Sequence, residues 1–200
     1  MAIRIDERFQ VDAPIGAVWD FLVDPRRVVA CVPGGELLGV TDDRTFEGRL
    51  RVAVGPFTLA YGGRVRIAEA DVVARRVRIV GQARERVGAA SARLTLESRL
   101  APLPGGGTEV AAAARVDVEG RLVELGRGVL EHLGHVVFQD FAGAVRAAVE
   151  SEAAGGAPPA PGPATGGPAL APTRPPLRAV PLVFRTLRAW MAGRWGPRAR

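Results

Sequence analysis

The sequence predicts an α+β fold: a curved antiparallel sheet wrapped around one long C-terminal helix, followed by a flexible tail. Three observations carry this. A run of short segments between residues 36 and 119 alternates apolar and polar residues, the period of half-buried strands. The stretch from Leu122 to about Val149 instead has helical periodicity, with Leu122, Val123, Leu125, Val129, Leu130, Leu133, Val136, Val137, Phe141 and Val145 on one broad face. So wide an apolar arc is suited to the concave face of a sheet rather than to a single neighbouring helix. Finally, the composition changes abruptly after residue 152.

The elements follow in order. Ile3, Ile5, Phe9 and Val11 alternate with polar neighbours and predict a first strand. Asp12-Ala13-Pro14 predicts an N-cap with Pro just inside a helix, whose apolar stripe is Ile15, Val18, Trp19 and Leu22. Asp24-Pro25 ends it and starts a second short helix through Val28, Val29 and Val32, closed by Pro33-Gly34-Gly35. Six strands are then expected: Glu36–Val40, the segments on either side of Gly55-Pro56 (residues 45–54 and 57–67), and segments near 76–84, 92–100 and 109–119. On the predicted inner face Gly48, Gly63, Gly81, Ala83, Ala92, Ser98, Ala112 and Ala114 are small, and the long helix carries Gly126, Gly128, Gly134 and Gly143. Facing rows this small either let the two layers approach closely or leave an apolar pocket.

Charge divides the chain. Residues 1–152 hold 20 Arg and 21 acids, a net of −1, whereas residues 153–200 hold 7 Arg and no acid. The basic character belongs to the tail and says nothing about the folded part; a nucleic-acid-binding arm ranks behind other readings of the tail because apolar residues dominate there. The single cysteine, Cys31, rules out an intrachain disulfide and fits a reducing compartment. The opening Met1–Asp6 has no apolar core, so a signal peptide is not expected, and no apolar run is long enough to span a bilayer. A cytoplasmic location is therefore expected.

Catalytic and metal-binding constellations are not evident. His132 and His135 are three residues apart but fall on the polar arc of the helix, away from the sheet, with no inward Asp, Glu or Cys expected beside them. Cys31 reads as a small buried apolar residue rather than a nucleophile. Asp140 interrupts the apolar face: either the helix leaves the sheet there and Asp140 meets water, or it lies at a pocket mouth. Candidate pocket residues are Phe46, Phe57, Leu59, Tyr61, Gly81, Leu94, Ala112, Phe138, Asp140 and Phe141. Tyr61, the chain's only tyrosine, has a hydroxyl suited to a ligand carbonyl.

The domain (1–152), a Pro/Gly/Ala-rich linker (153–176) and a basic amphipathic segment (177–200) make up the expected organisation. Ala153 to Pro176 holds eight Pro and five Gly and has too little apolar content for a core. A helix starting near Pro181 places Val183, Phe184, Leu187, Trp190, Met191 and Trp195 on one face, with Arg178, Arg185 and Arg188 opposite and Arg194 as an exception. Such a helix suits the surface of an anionic membrane; docking into a protein groove is the competing reading.

Several motifs together resemble one family. They are Phe9-Xaa-Val11-Xaa-Ala13-Pro14, Val18-Trp19-Xaa-Phe21-Leu22-Xaa-Asp24-Pro25, Cys31-Val32-Pro33-Gly34, Gly48, Val54-Gly55-Pro56, Tyr61-Xaa-Gly63 and Gly120. With the order of elements, they resemble the START/Bet v 1-type helix-grip fold and, within it, the CoxG family of carbon monoxide dehydrogenase subunits, over about residues 1–150. The resemblance implies an apolar cavity holding an isoprenoid quinone (menaquinone or ubiquinone) and no covalent cofactor. It also implies recruitment of a carbon monoxide dehydrogenase-type molybdenum hydroxylase to the inner face of the cell membrane, with electrons passing to the quinone. On that reading the chain is an accessory subunit rather than an enzyme. An aromatase/cyclase-type enzyme, which related folds include, and a membrane adaptor with a filled core are the alternatives.

The tail reading predicts that residues 177–195 are at most partly helical in water and become helical on anionic bilayers. In liposome co-sedimentation the intact chain should pellet, less at high salt, while a chain cut after Ala154 should stay in the supernatant. Equal sedimentation of the two forms would remove the membrane anchor.

Overall fold

The computed structural model describes residues 1–54, 57–86 and 88–155, with the backbone alone for Ala53, Val54, Phe57 and Arg121. The expected linker and the tail residues Val183, Phe184, Arg185, Leu187, Arg188, Trp190, Met191 and Trp195 lie outside the described residues, as does the side chain of Phe57.

Strand β1 (Ala2–Val11) leads into helices α1 (Ile15–Leu22) and α2 (Pro25–Cys31). Strands β2 (Gly35–Asp42), β3 (Thr45–Val54), β4 (Phe57–Asp71), β5 (Arg76–Glu85), β6 (Ser91–Pro102) and β7 (Thr108–Glu119) follow. A 3₁₀ turn (Arg121–Leu125) and helix α3 (Arg127–Ala153) complete the domain. The strands form one antiparallel sheet in the order β1-β7-β6-β5-β4-β3-β2. It curls without closing, so β1 and β2 are its edges.

Local chemistry accounts for the joints. Asp24 caps α2 by accepting a hydrogen bond from the Arg26 backbone N–H at 2.9 Å. Helix α1 departs from expectation: Pro14 itself is its N-cap, with no side-chain cap, and the Asp12 backbone N–H instead donates to Glu150 of α3 at 2.9 Å. The Pro33-Gly34 turn folds against β3. Gly34 has φ +70°, and a Cβ there would lie 2.3 Å from the Arg51 carbonyl oxygen, so a larger residue cannot make this turn.

The long helix predicted from Leu122 is two elements. Gly126, at φ +83°, separates the 3₁₀ turn from α3 and serves as the N-cap of the latter. Leu122 therefore turns away from the helical register and packs against Leu59, Tyr61 and Ala90. Helix α3 also extends beyond Val149, to Ala153.

Helix α3 lies over β1 and against α1 and α2. Beneath it sits the main core: Phe9, Val11, Val18, Trp19, Phe21, Val110, Val145 and Val149, among others. Phe138 meets Phe9 edge-to-face, centroids 5.8 Å apart, and Phe141 lies 6.3 Å from Phe138. Thr108 is fully buried and donates its hydroxyl to the Ala13 carbonyl at 2.8 Å, tying the chain leaving β1 to β7. Arg27 bridges to Glu152 and fastens α2 to the end of α3.

The helix glycines divide by environment. A Cβ on Gly134 would meet Ile5 of β1 at 2.4 Å, so this glycine permits the close approach of helix and strand. Gly128 and Gly143 have open space around them and no such role.

Two substitutions test this packing in opposite directions. Gly63→Ala drives a Cβ to 2.3 Å from the Gln82 carbonyl oxygen and 2.7 Å from the Ala83 Cα, both backbone atoms, and should destabilise by about 1–3 kcal/mol. Gly143→Ala adds helix propensity on an exposed face and should stabilise by about 1 kcal/mol. Urea denaturation midpoints check both; a neutral Gly63→Ala would contradict the strand register.

Candidate functional site

The strand pairing lays the inner face of the sheet out in straight rows. One row crosses all seven strands: Ile3, Val116, Leu94, Gly81, Val65, Phe46 and Val40. The next runs Ile5, Ala114, Leu96, Ile79, Ile67. A third runs Glu7, Ala112, Ser98, Val77. On the other side lie Val118, Ala92, Ala83, Gly63 and Gly48, and beyond them Glu85, Tyr61 and Leu50.

Burial along these rows is uneven. The main core covers one end, through Val77, Leu100 and Val110. A smaller cluster of Leu59, Tyr61 and Ala90, with Leu50, Ala83 and Leu122 against it, covers the other. Between them, Val116, Leu94, Gly81, Ala114 and Leu96 are only half-buried, as are Ile79 and Ile67 at the margin of the main core, and Val65 is 40% exposed. Strands β5, β6 and β7 are paired on both sides, so solvent reaches these inward side chains from the concave side alone. The middle of the inner face is thus apolar and incompletely covered, the usual character of a small-molecule site.

The candidate residues fall into separate groups. Leu59 and Tyr61 are buried in the smaller cluster. Phe46 is buried at the β3 end of the long row, and Gly81 and Leu94 lie in its half-buried middle. Ala112 stands two rows away, beside Glu7. Phe138 and Phe141 pack against the main core. Asp140 is exposed and contributes no wall. Cys31 is buried.

Two expectations need correction. His135, expected on the polar arc away from the sheet, reaches β1, where its Nδ1 contacts a carboxylate oxygen of Glu7. Gln139 Nε2 donates to the other oxygen of the same carboxylate at 3.3 Å. The expectation of no inward acid also fails. Glu7 and Glu85 both stand on inner rows, and among the described residues they are the only acids on the inner rows of β1 and β3–β7. The signal was present in the spacing: Glu7 falls between Ile5 and Phe9 at an inward position of β1. Glu85 pairs in register with Tyr61, which places a phenol and a carboxyl on neighbouring strands of the same face.

Asp42 is held below the usual carboxylate range, chiefly by the Arg44 backbone N–H, in the β2–β3 turn. Asp117 is lowered by its hydrogen bond from Arg115 on the convex face. A shallow depression of about 340 Å³ also lies on the convex face, where outward Ala111 and Ala113 are flanked by Asp6, Arg8, Arg76, Glu97 and Arg99. Its charged lining does not suit an apolar ligand. No helix among the described residues is long and apolar enough to cross a membrane.

A seven-stranded antiparallel grip on a C-terminal helix, with an apolar inner face, defines a START-like protein. Solved structures share this fold. A conserved protein from Geobacillus kaustophilus superposes with a TM-score of 0.69 at 13% identity, covering 75% of this chain and 97% of its own. The Zhui aromatase/cyclase from Streptomyces sp. R1128 gives 0.59 at 18% identity, covering 78% and 100%. A START superfamily protein from Mycobacterium smegmatis gives 0.53 at 14% identity, covering 74% and 98%. No curated protein matches the chain. Residues 8–150 match the CoxG family of carbon monoxide dehydrogenase subunits, and the chain belongs to it.

Proposed function

We propose that the domain binds an apolar ligand, an isoprenoid quinone, on its concave face, and that the chain tethers a carbon monoxide dehydrogenase-type molybdenum hydroxylase to the membrane. The observation that carries the ligand reading is the half-buried middle of the inner face, where Leu94, Leu96, Ile79 and Val116 surround the small residues Gly81 and Ala114. Covering such side chains stabilises a bound ligand by about 25 cal/mol per Å² of apolar surface removed from water. The groups present suit a quinone. Aliphatic rows match its ring and isoprenoid tail, and Tyr61 and Ser98 supply hydroxyls at the borders.

The partner reading is supported by membership of the CoxG family. The membrane reading is supported by the Arg-rich amphipathic sequence of residues 177–195. The quinone supplies redox chemistry; the chain holds it in a dry site and carries it to the dehydrogenase.

A second reading is an enzyme of the aromatase/cyclase type acting on a small apolar substrate. The inward Glu7 and Glu85 favour it, since carboxyl groups at the edge of an apolar site are suited to proton transfer.

Mass spectrometry of a solvent extract of the purified full-length protein separates these readings. A near-stoichiometric prenylated quinone is expected. Gly81→Leu should lower the ligand content several-fold at an unchanged melting temperature, because its side chain projects from the space bounded by Val65 and Leu94, each about 3.5 Å from the missing Cβ. An extract without any lipid-like molecule overturns the quinone reading and leaves the enzyme and the adaptor.

A further inference from the structure

We propose that His135 and Glu7 form a proton inlet that connects solvent to the concave site. The inference rests on the quinone reading above and extends it. Reduction of a quinone to a quinol takes two electrons and two protons. The electrons come from the partner dehydrogenase; once the ligand covers the aliphatic rows it is shielded from bulk water there, and the protons arrive through polar groups at the border of the site.

The Glu7–His135 pair is placed for this. Glu7 stands on the inner row, register-paired with Ala112 and next along that face to Ile5, which borders the half-buried rows. Its side chain is 16% exposed, whereas that of His135 is 52% exposed. One end of the pair therefore meets the interior and the other meets water. Both carboxylate oxygens are held by α3, one by His135 Nδ1 and the other by Gln139 Nε2. A carboxylate accepts, so Nδ1 carries the imidazole proton and Nε2 is left towards solvent.

Transfer then balances. Nε2 takes a proton from hydronium or a buffer acid while Nδ1–H passes its proton to Glu7, and the Glu7 carboxylic acid passes it to the reduced quinone oxygen. This leaves Glu7 ionised and His135 neutral with its proton on Nε2; the half-exposed ring returns to the Nδ1–H tautomer by proton exchange with solvent, and a second cycle delivers the second proton. Glu131 and His132 are near His135 in the helix sequence, Ser98 and Ala112 flank Glu7 across the sheet, and Asp6 and Arg8 point to the convex face. Gln139 carries no transferable proton at neutral pH.

The test loads the full-length protein with ubiquinone-1 and follows its reduction by dithionite in a stopped-flow spectrometer between pH 6 and pH 8. His135→Ala and the isosteric Glu7→Gln should each slow quinol formation about 10- to 100-fold, the range expected for losing a positioned proton donor. Both should flatten the pH–rate profile and leave ubiquinone-1 affinity within about twofold of wild type, since neither group supplies the apolar contact area that holds the ligand. Added imidazole should restore His135→Ala, whose side-chain site is open to solvent, but not Glu7→Gln. A purely structural pair would not show this rescue. Unchanged rates and profiles in both variants, with the probe bound, overturn the inlet and leave the ligand reading standing. Failure of wild type to bind ubiquinone-1 overturns both.

Discussion

One helix cannot cover a seven-stranded face, and most of what distinguishes this domain follows from that mismatch. Strands about 4.8 Å apart make an inner surface roughly 30 Å across, while a helix with its side chains is about 10 Å wide. Helix α3 settles over edge strand β1, drawn in at Gly134 above Ile5 and secured by the Phe9–Phe138 contact. Helices α1 and α2 fill the end nearest Trp19 and Val145, and Leu122 helps close the opposite end. What remains is the middle of the sheet, where the sequence has placed aliphatic residues among glycine and alanine. A fold that needed only stability would fill that space with larger side chains.

Position on an edge strand gives β1 a second duty. Its outer backbone groups face no strand, and α3 covers several of them: Arg127 donates to the Ala2 carbonyl, Arg146 to the Gln10 carbonyl, and Glu150 accepts from the Asp12 N–H. These contacts occupy an edge that would otherwise be open to pairing with another chain. They also align His135 and Gln139 over Glu7, so the seam that protects the edge is the one that brings polar groups to the border of the apolar rows.

Much of this was legible in the sequence. Strict alternation located all seven strands to within a few residues, because a half-buried strand requires it. The small residues at Gly63, Gly81, Ala92, Ala112 and Ala114 marked the inner face as a place of either close packing or open space; Gly63 serves close packing, while a Cβ on Gly81 would meet only ordinary contacts. The break at Gly126 was not legible, because a helical wheel drawn through a glycine cannot show that its φ is positive. Glu7 was missed for a different reason. An acid between Ile5 and Phe9 looks like an imperfection of the pattern until the helix that pairs with it is in place. His135 was assigned to water by its angular position, and it is half exposed; the wheel missed its contact with Glu7, because α3 rests on a sheet edge and so presents its flank, as well as its apolar face, to β1.

The central claim is that the half-buried middle of the concave face holds an apolar ligand. Methyl NMR of the full-length protein with added menadione tests it most directly. The account predicts intermolecular contacts from the quinone ring to the methyl groups of Ile79, Leu94 and Leu96. Contacts confined to Ala111 and Ala113 on the convex face, or none at saturating menadione, would contradict it.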